Sequence, residues 1–410
     1  MIKTLTLSLL LCTSIPTVAQ DTIAFTFKSY PFLQDDANVI QNSVALSDFY
    51  EKLYQLKKLK KNTVSILQIG DSHIQADFWS GTVRKLMQQE FGNAGRGLVF
   101  PGRVGRTNEP PSIYTGATGI WDAKRIVYTN QPLPIGVGAM TIQTLQVGAT
   151  LSLKVNSQDA DYAFNKLTLL YEKNLSSFNL AVKDTTGQAI AYVGPFTFEA
   201  PNVSRVLFPY PVRKVEFQTI QSTNLQKQFT LYGLSLENGK PGVLYHSTGG
   251  NGAKFKHYNE SKLFAEQTRE LEPTLIIISL GTNEAIEHPY IDPLFTEQVD
   301  TFIHQLKVAN PLAKILLTVP MDFYKKKTRR NPGVELLRSK LVEYAEAHGI
   351  AYWDLYTAAG GKHAADTWKN NGLLQADGVH FTKNGYELQG ALLYQALIKG
   401  YNEYVRYRYP

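Results

Sequence analysis

A chain of 410 residues with 43% hydrophobic and 19% charged side chains can bury a large core and is neither a disordered nor a low-complexity polymer. Its formal charge of +7 leaves nucleic acid, an anionic envelope polymer and a membrane surface open as partners. The only cysteine is Cys12, so a chain cut after it has no disulfide and no thiolate metal site.

The first residues read as an export leader. Lys3 supplies the positive charge, Leu5 to Leu11 the apolar stretch, and Thr17-Val18-Ala19 the small residues for cleavage before Gln20. The expectation is a signal peptide over 1–19 and an exported protein of the periplasm or cell envelope. No later apolar run is long enough to span a bilayer. A lipid anchor on Cys12 is the rival, and Leu11 before it is a poor fit to such signals. Export argues against nucleic acid and leaves the envelope polymer.

Asp21 to Asn38 reads as an irregular lead-in. Ser43 to Leu59 carries a helical stripe of Leu46, Phe49, Leu53, Leu56 and Leu59. Val64 to Ile69 is a short apolar strand, followed by Gly70-Asp71-Ser72-His73 and a helix through Phe78, Val83, Met87 and Phe91. Ser72 therefore falls on a strand-to-helix turn, where ligands bind in open α/β sheets. The glycine-dense stretch from Gly92 to Gly105, with Arg96, Arg103 and Arg106 interleaved, is either a loop bordering the site or a linker.

From Ile113 to Leu236 the texture changes to short β-rich runs between turns. Thr150 to Val155, Ala189 to Val193 and Phe229 to Leu236 are examples, and together they predict a β-sandwich. Strands and helices then alternate again: Gly242 to His246, Ser261 to Leu271, Thr274 to Leu280, Phe295 to Val308, Ala313 to Val319, Val334 to His348, Ile350 to Asp354 and Lys383 to Tyr401. That alternation implies βαβ units and a parallel sheet. The expected organisation is an α/β domain over 20–107 and 242–410 interrupted by a β-sandwich at 108–241. The two ends of the insert must then lie together, and the insert reads as a separable docking module.

Three later turns share the sheet edge that carries Ser72. They are Gly249-Gly250-Asn251-Gly252, Gly281-Thr282-Asn283-Glu284 and Asp377-Gly378-Val379-His380. An acyl-transfer serine needs an imidazole base, a carboxylate to orient it and donors for the oxyanion. His380 and Asp377 meet the first two needs; Asn283 and the amides of Gly252 and Ser72 meet the third. Singly, each residue is also an ordinary cap or turn residue. His73 is expected to face away, Glu284 to pin its loop, and Asp77 to be a helix-surface charge. The basic run of Lys325, Lys326, Lys327, Arg329 and Arg330 reads as a solvated loop, with steering of an acidic polymer as the alternative. No pair of histidines has metal-ligand spacing, and no cofactor or metal is expected.

These four blocks, in this order, resemble the SGNH (GDSL-type) hydrolases. The resemblance implies a three-layer α/β/α fold, with Ser72 as nucleophile, His380 as base, Asp377 as its orienter, and Ser72, Gly252 and Asn283 in the oxyanion hole. His73 and Glu284 depart from the leucine and aspartate common in that family. The β-rich insert, with Gly-Asn-Ala-Gly-Arg-Gly at 92–97 and Gly-Thr-Asn-Glu-Ala at 281–285, is similar to the periplasmic peptidoglycan O-acetylesterases, whose insert resembles a carbohydrate-binding module. It implies an acetylated cell-wall polysaccharide as partner. An acetyl esterase of another polysaccharide such as xylan, and a non-catalytic polymer-binding protein, are the alternatives.

Overall fold

Six strands make the central sheet, in the order Ile40–Gln41, Ala351–Asp354, Lys314–Val319, Leu275–Ser279, Thr63–Gly70 and Gly242–Gly249. All neighbours run parallel except Ile40–Gln41, which is antiparallel to Ala351–Asp354 and closes that edge. The computed structural model describes residues 22–24, 30–128, 133–156, 161–196 and 201–409, and the expected leader lies outside them. Among the described residues no helix is long and apolar enough to cross a membrane.

Alternation along the strands sorts side chains to the two faces. Ile66, Leu275 and Ile277 point into one core with Phe49, Leu53, Val83, Met87, Leu393 and Leu397 from the helices Ser47–Leu59, Phe78–Phe91 and Lys383–Arg408. Leu67, Ile69, Ile276 and Ile278 point into a second core with Phe264, Phe302, Leu337 and Leu341 from Lys262–Thr268, Phe295–Ala309 and Gly333–Ala347. The result is the expected three-layer α/β/α body. Leu275–Ser279 is buried at every position, as a central parallel strand is.

The register places the site. Gly70 pairs with both Gly249 and Ser279, so three adjacent strands end on one line and release their loops at one edge. The chain leaves this body at Gly92 and re-enters at Gly242. Val243 NH donates to the Gly92 carbonyl at 2.8 Å, so the ends of the β region do lie together.

Between them stands an antiparallel sandwich. One sheet has the order Ala189–Val193, Asn179–Lys183, Lys214–Ile220, Thr150–Val155, Ile113–Thr118. The other runs Val203–Val212, Phe164–Tyr171, Phe229–Glu237, Met140–Thr144, Asp122–Arg125, with Gly97–Val99 added beside Phe229–Glu237. Ile113–Thr118 and Asp122–Arg125 are too polar to stand out as strands in the sequence. The sandwich fills with Leu151, Leu153, Leu167, Leu169, Val182, Val215 and Phe217.

Two expectations fail here. The second sheet is not a separable module: Ile126, Ile135, Val137, Ala139, Leu170, Val203 and Tyr232 belong to the same apolar core as Ala253, Phe264 and Ile276 of the α/β body. The glycine-dense stretch is not a linker: Arg96, Leu98, Val99 and Phe100 line one cavity with Ile74 and Gln75 of the Ser72 helix, so its site-bordering alternative stands. It is a buried joint, threaded so closely between the two sheets that a Cβ on Gly97 would sit 2.7 Å from the Tyr245 carbonyl oxygen.

Candidate active site

Ser72 opens the short helix Ser72–Gln75, directly after Thr63–Gly70. Asp71 caps that helix by accepting from His73 NH at 2.9 Å. Gly70 has to be glycine, because a Cβ there would lie 2.3 Å from Ile74 Cγ1 and 2.9 Å from the Ser279 carbonyl oxygen. Tyr258 OH donates to the Gly70 carbonyl at 2.5 Å and fixes the turn from below.

Ser72 Oγ lies 2.9 Å from His380 Nε2, and His380 Nδ1 lies 2.7 Å from Asp377 Oδ2. The structure thus joins three residues from opposite ends of the chain in one hydrogen-bonded line. Asp377 Oδ1 also accepts from the NH groups of Val379 and His380, each at 2.9 Å. Burial works against the Asp377 charge, but the Val379 NH, the His380 ring and the His380 NH outweigh it and hold the carboxyl below its ordinary range. Such a line can take a proton from the serine and return it to a leaving group.

The donor side is built from two neighbouring loops. Gly252 has φ +80, a conformation that glycine adopts without strain, and a Cβ there would meet only Val127 Cγ1, at 3.8 Å. Asn283 is the second residue of a short helix, Thr282–Ile286, and its Nδ2 donates to the Ala253 carbonyl at 2.9 Å and to Asp71 Oδ2 at 3.2 Å. Ser72 NH belongs to the first helical turn, whose amides lack intrahelical acceptors. Glu284 Oε1 accepts from Phe255 NH at 2.9 Å and ties the Gly252 loop to the Asn283 loop, so its expected pinning role holds.

Burial is the leading influence on both carboxyls behind the donors. It pushes Asp71 up to about 7 and Glu284 up to about 7. Each therefore takes up a proton more readily than an exposed carboxyl does.

Two neighbours differ from expectation. His73 does not face away. Its Nδ1 lies 2.9 Å from Tyr386 OH, and its ring sits 5.2 Å from that of His380, because the helix Lys383–Arg408 brings Tyr386 to this side. Burial, reinforced by His380, pushes it down to about 3, so it stays neutral and backs the His380 ring. Asp77 is not a surface charge. It is buried and accepts from Arg84 at 2.7 and 2.9 Å, Arg96 at 2.6 Å, Ser80 at 2.6 Å and Ser247 at 2.9 Å. Burial alone would raise it, but the two guanidinium groups hold it well below the carboxylate range.

The sequence reading missed one wall altogether. Ile126 and Val127, in the turn after the sandwich strand Asp122–Arg125, close on the glycine loop: a Cβ on Gly250 would lie 2.5 Å from Ile126 Cγ2. Nothing in the local pattern around 126 marks these residues as part of a site. Among the described residues no cluster of three or more His, Cys, Asp or Glu is gathered to hold a metal ion.

The GDSL-like Lipase/Acylhydrolase family matches residues 223–388. A solved peptidoglycan O-acetylesterase superposes with a TM-score of 0.74 over 91% of this chain and 99% of that one, at 20% identity. A family two carbohydrate esterase from Cellvibrio japonicus covers 72% of this chain and 99% of its own, at 14% identity and a TM-score of 0.30. No match was found among curated proteins. The chain has an SGNH/GDSL-like hydrolase fold interrupted by a β-sandwich, and the class of chemistry associated with that family is serine ester hydrolysis.

Proposed function

We propose that the protein is a serine esterase that removes O-acetyl groups from peptidoglycan. The observation that carries the chemistry is the line Ser72 Oγ, His380 Nε2 at 2.9 Å, then His380 Nδ1 and Asp377 Oδ2 at 2.7 Å. Ser72 attacks the acetyl carbonyl while His380 takes its proton. The oxyanion is met by the amides of Ser72 and Gly252 and by Asn283 Nδ2. His380 then passes the proton to the departing sugar oxygen, leaving acetyl-Ser72. Water, activated by His380, releases acetate and restores the serine.

The substrate assignment is supported by a full-length likeness in fold to a peptidoglycan O-acetylesterase, including the sandwich. It is also supported by the leader-like start, which would carry the protein to the cell envelope. In this reading 1–19 is a signal peptide, the hydrolase body lies in 20–92 and 242–410, and the glycine-dense joint and the sandwich stand between them. No cofactor is required by the chemistry.

The test is acetate release by purified protein from O-acetylated sacculi, with Ser72→Ala as control. Release above the control, with little from acetylated xylan, is expected. The reverse preference assigns the protein to another acetylated polysaccharide. No release from any ester removes the enzyme reading and leaves a polymer-binding protein.

A further inference from the structure

The basic run at 325–330 is not a free loop. Tyr324–Lys325 and Arg329–Arg330 pair as an antiparallel hairpin closed by Lys326, Lys327 and Thr328. It is pinned on two sides. Tyr324 NH donates to the Gly378 carbonyl at 2.7 Å, and a Cβ on Gly378 would lie 2.9 Å from the Lys327 carbonyl oxygen. Gly378 stands between Asp377 and His380. On the other side, Lys325 Nζ donates to the His288 carbonyl, just beyond the Asn283 helix. The hairpin therefore bridges the His380 loop and the segment that follows Asn283.

Its charges fall into two groups. Lys325 is engaged with His288, and Arg330 pairs with Glu335 at 2.6 Å. Lys326, Lys327 and Arg329 are exposed, and none of them forms an ion pair among the described residues. The nearby acid Asp366 is already occupied by Tyr324 OH and His363. Lys326 and Lys327 also sit at φ +53 and +70, where glycine or asparagine is the usual choice. Three unpaired like charges in so short a stretch repel one another, and no contact within the fold accounts for them.

The direction of proton transfer says what faces them. The acyl oxygen must point toward Gly252 and Asn283. The leaving oxygen must lie within reach of His380, so the alcohol half of the substrate extends along the His380 loop. The hairpin flanks that loop. We infer that Lys326, Lys327 and Arg329 form an anion subsite that reads the alcohol half of the ester: a glycan bearing carboxylates close to the acetylated sugar. This rests on the esterase reading of Ser72 and names its substrate class. The subsite acts through charge, so it favours encounter and retention of an anionic chain and weakens with salt.

The test compares the wild type with Lys326→Ala/Lys327→Ala/Arg329→Ala and with the corresponding triple change to Glu. Two soluble substrates are used: O-acetylated peptidoglycan fragments carrying lactyl and peptide carboxylates, and neutral acetylated xylo-oligosaccharides. The ratio of kcat/KM for the charged over the neutral substrate falls about tenfold in the alanine variant and further in the glutamate variant. In the wild type that ratio shrinks as salt is raised. An unchanged ratio, or an equal fall on both substrates, overturns the subsite and leaves the hairpin as a prop for the His380 loop. A second measurement does not depend on turnover. In a Ser72→Ala background, Kd for the charged fragments rises about tenfold on removal of the three cations; no rise overturns the inference. Failure of the wild type to cleave any ester strikes the catalytic reading instead.

Discussion

Asn283 is held by two acceptors at once. Its Nδ2 donates to the Ala253 carbonyl and to Asp71 Oδ2, which keeps the amide beside the glycine loop, the position the proposed oxyanion role requires. Asn283→Ala is expected to lower kcat by roughly two to three orders of magnitude with little change in KM, as loss of one oxyanion donor does elsewhere. An effect confined to KM would move Asn283 to substrate binding. Glu284, the next residue, makes a statement about pH. Its Oε2 is buried without a partner, and burial pushes its carboxyl up to about 7. The folded state therefore holds a proton that the unfolded chain releases near the ordinary carboxyl value. Stability is then greatest below that value and declines as pH rises to about 7, with a slope of at most about 1.4 kcal/mol per unit from this group. Asp71 adds the same sign. Thermal unfolding of Glu284→Gln between pH 5 and 8 should give a flatter profile than the wild type; an unchanged profile would show that Glu284 is not the titrating group.

At the scale of elements, the helix Phe78–Phe91, the glycine-dense joint and the strand Gly242–Gly249 are locked together at one buried carboxylate. Arg84 comes from the helix, Arg96 from the joint and Ser247 from the strand, and all three converge on Asp77. Asp77→Ala leaves two guanidinium groups buried without their anion and should cost about 3–5 kcal/mol in denaturant unfolding. Below about 1 kcal/mol, the cluster would not be the lock described. This cluster also marks the limit of what could be read in the sequence. The alternation of strands and helices was plain because burial on both faces writes long apolar runs such as Leu275–Ser279. Ser72, Gly252, Asn283, Asp377 and His380 were legible because each sits in a turn motif at a strand end or before a helix. Asp77, by contrast, looks like any helical aspartate, since Arg84, Arg96 and Ser247, which bind it, lie 7, 19 and 170 residues away in the chain. His73 was misplaced for the same reason: its surroundings are set by Tyr386, which is 313 residues distant. The polar edge strands and the short helix Ala364–Asn370 carry no strong period of their own and form because neighbours hold them.

At the scale of the whole molecule, the α/β body and the sandwich share one apolar core, although the chain order suggests two separate units. Ile126, Ile135, Val137, Ala139, Leu170, Val203 and Tyr232 of the sandwich are buried against Ala253, Phe255 and Phe264 of the α/β body. Burying one large apolar side chain is worth about 1.5–3 kcal/mol, and a whole domain is stable by only about 5–15 kcal/mol. Removing that layer would expose both the lost partners' seats and the glycine loop, where Gly250 packs closely against Ile126 and Gly252 faces Val127. Excision of 108–239 with a short linker is therefore expected to abolish turnover of a small soluble acetyl ester as well as of insoluble polymer, and to abolish cooperative unfolding. A truncated chain that still cleaves the small ester while losing the polymer would restore the docking-module reading. Because excision can fail simply through misfolding, a milder change isolates the wall itself. Val127→Ala removes two methyl carbons beside Gly252 from a side chain that is only partly buried against the shared core. It should leave the unfolding midpoint nearly unchanged and alter kcat/KM for small esters, with esters longer than acetyl gaining relative to acetyl. If acyl preference and turnover both stay fixed, the sandwich supports the oxyanion loop from behind and does not line the path of the acyl group.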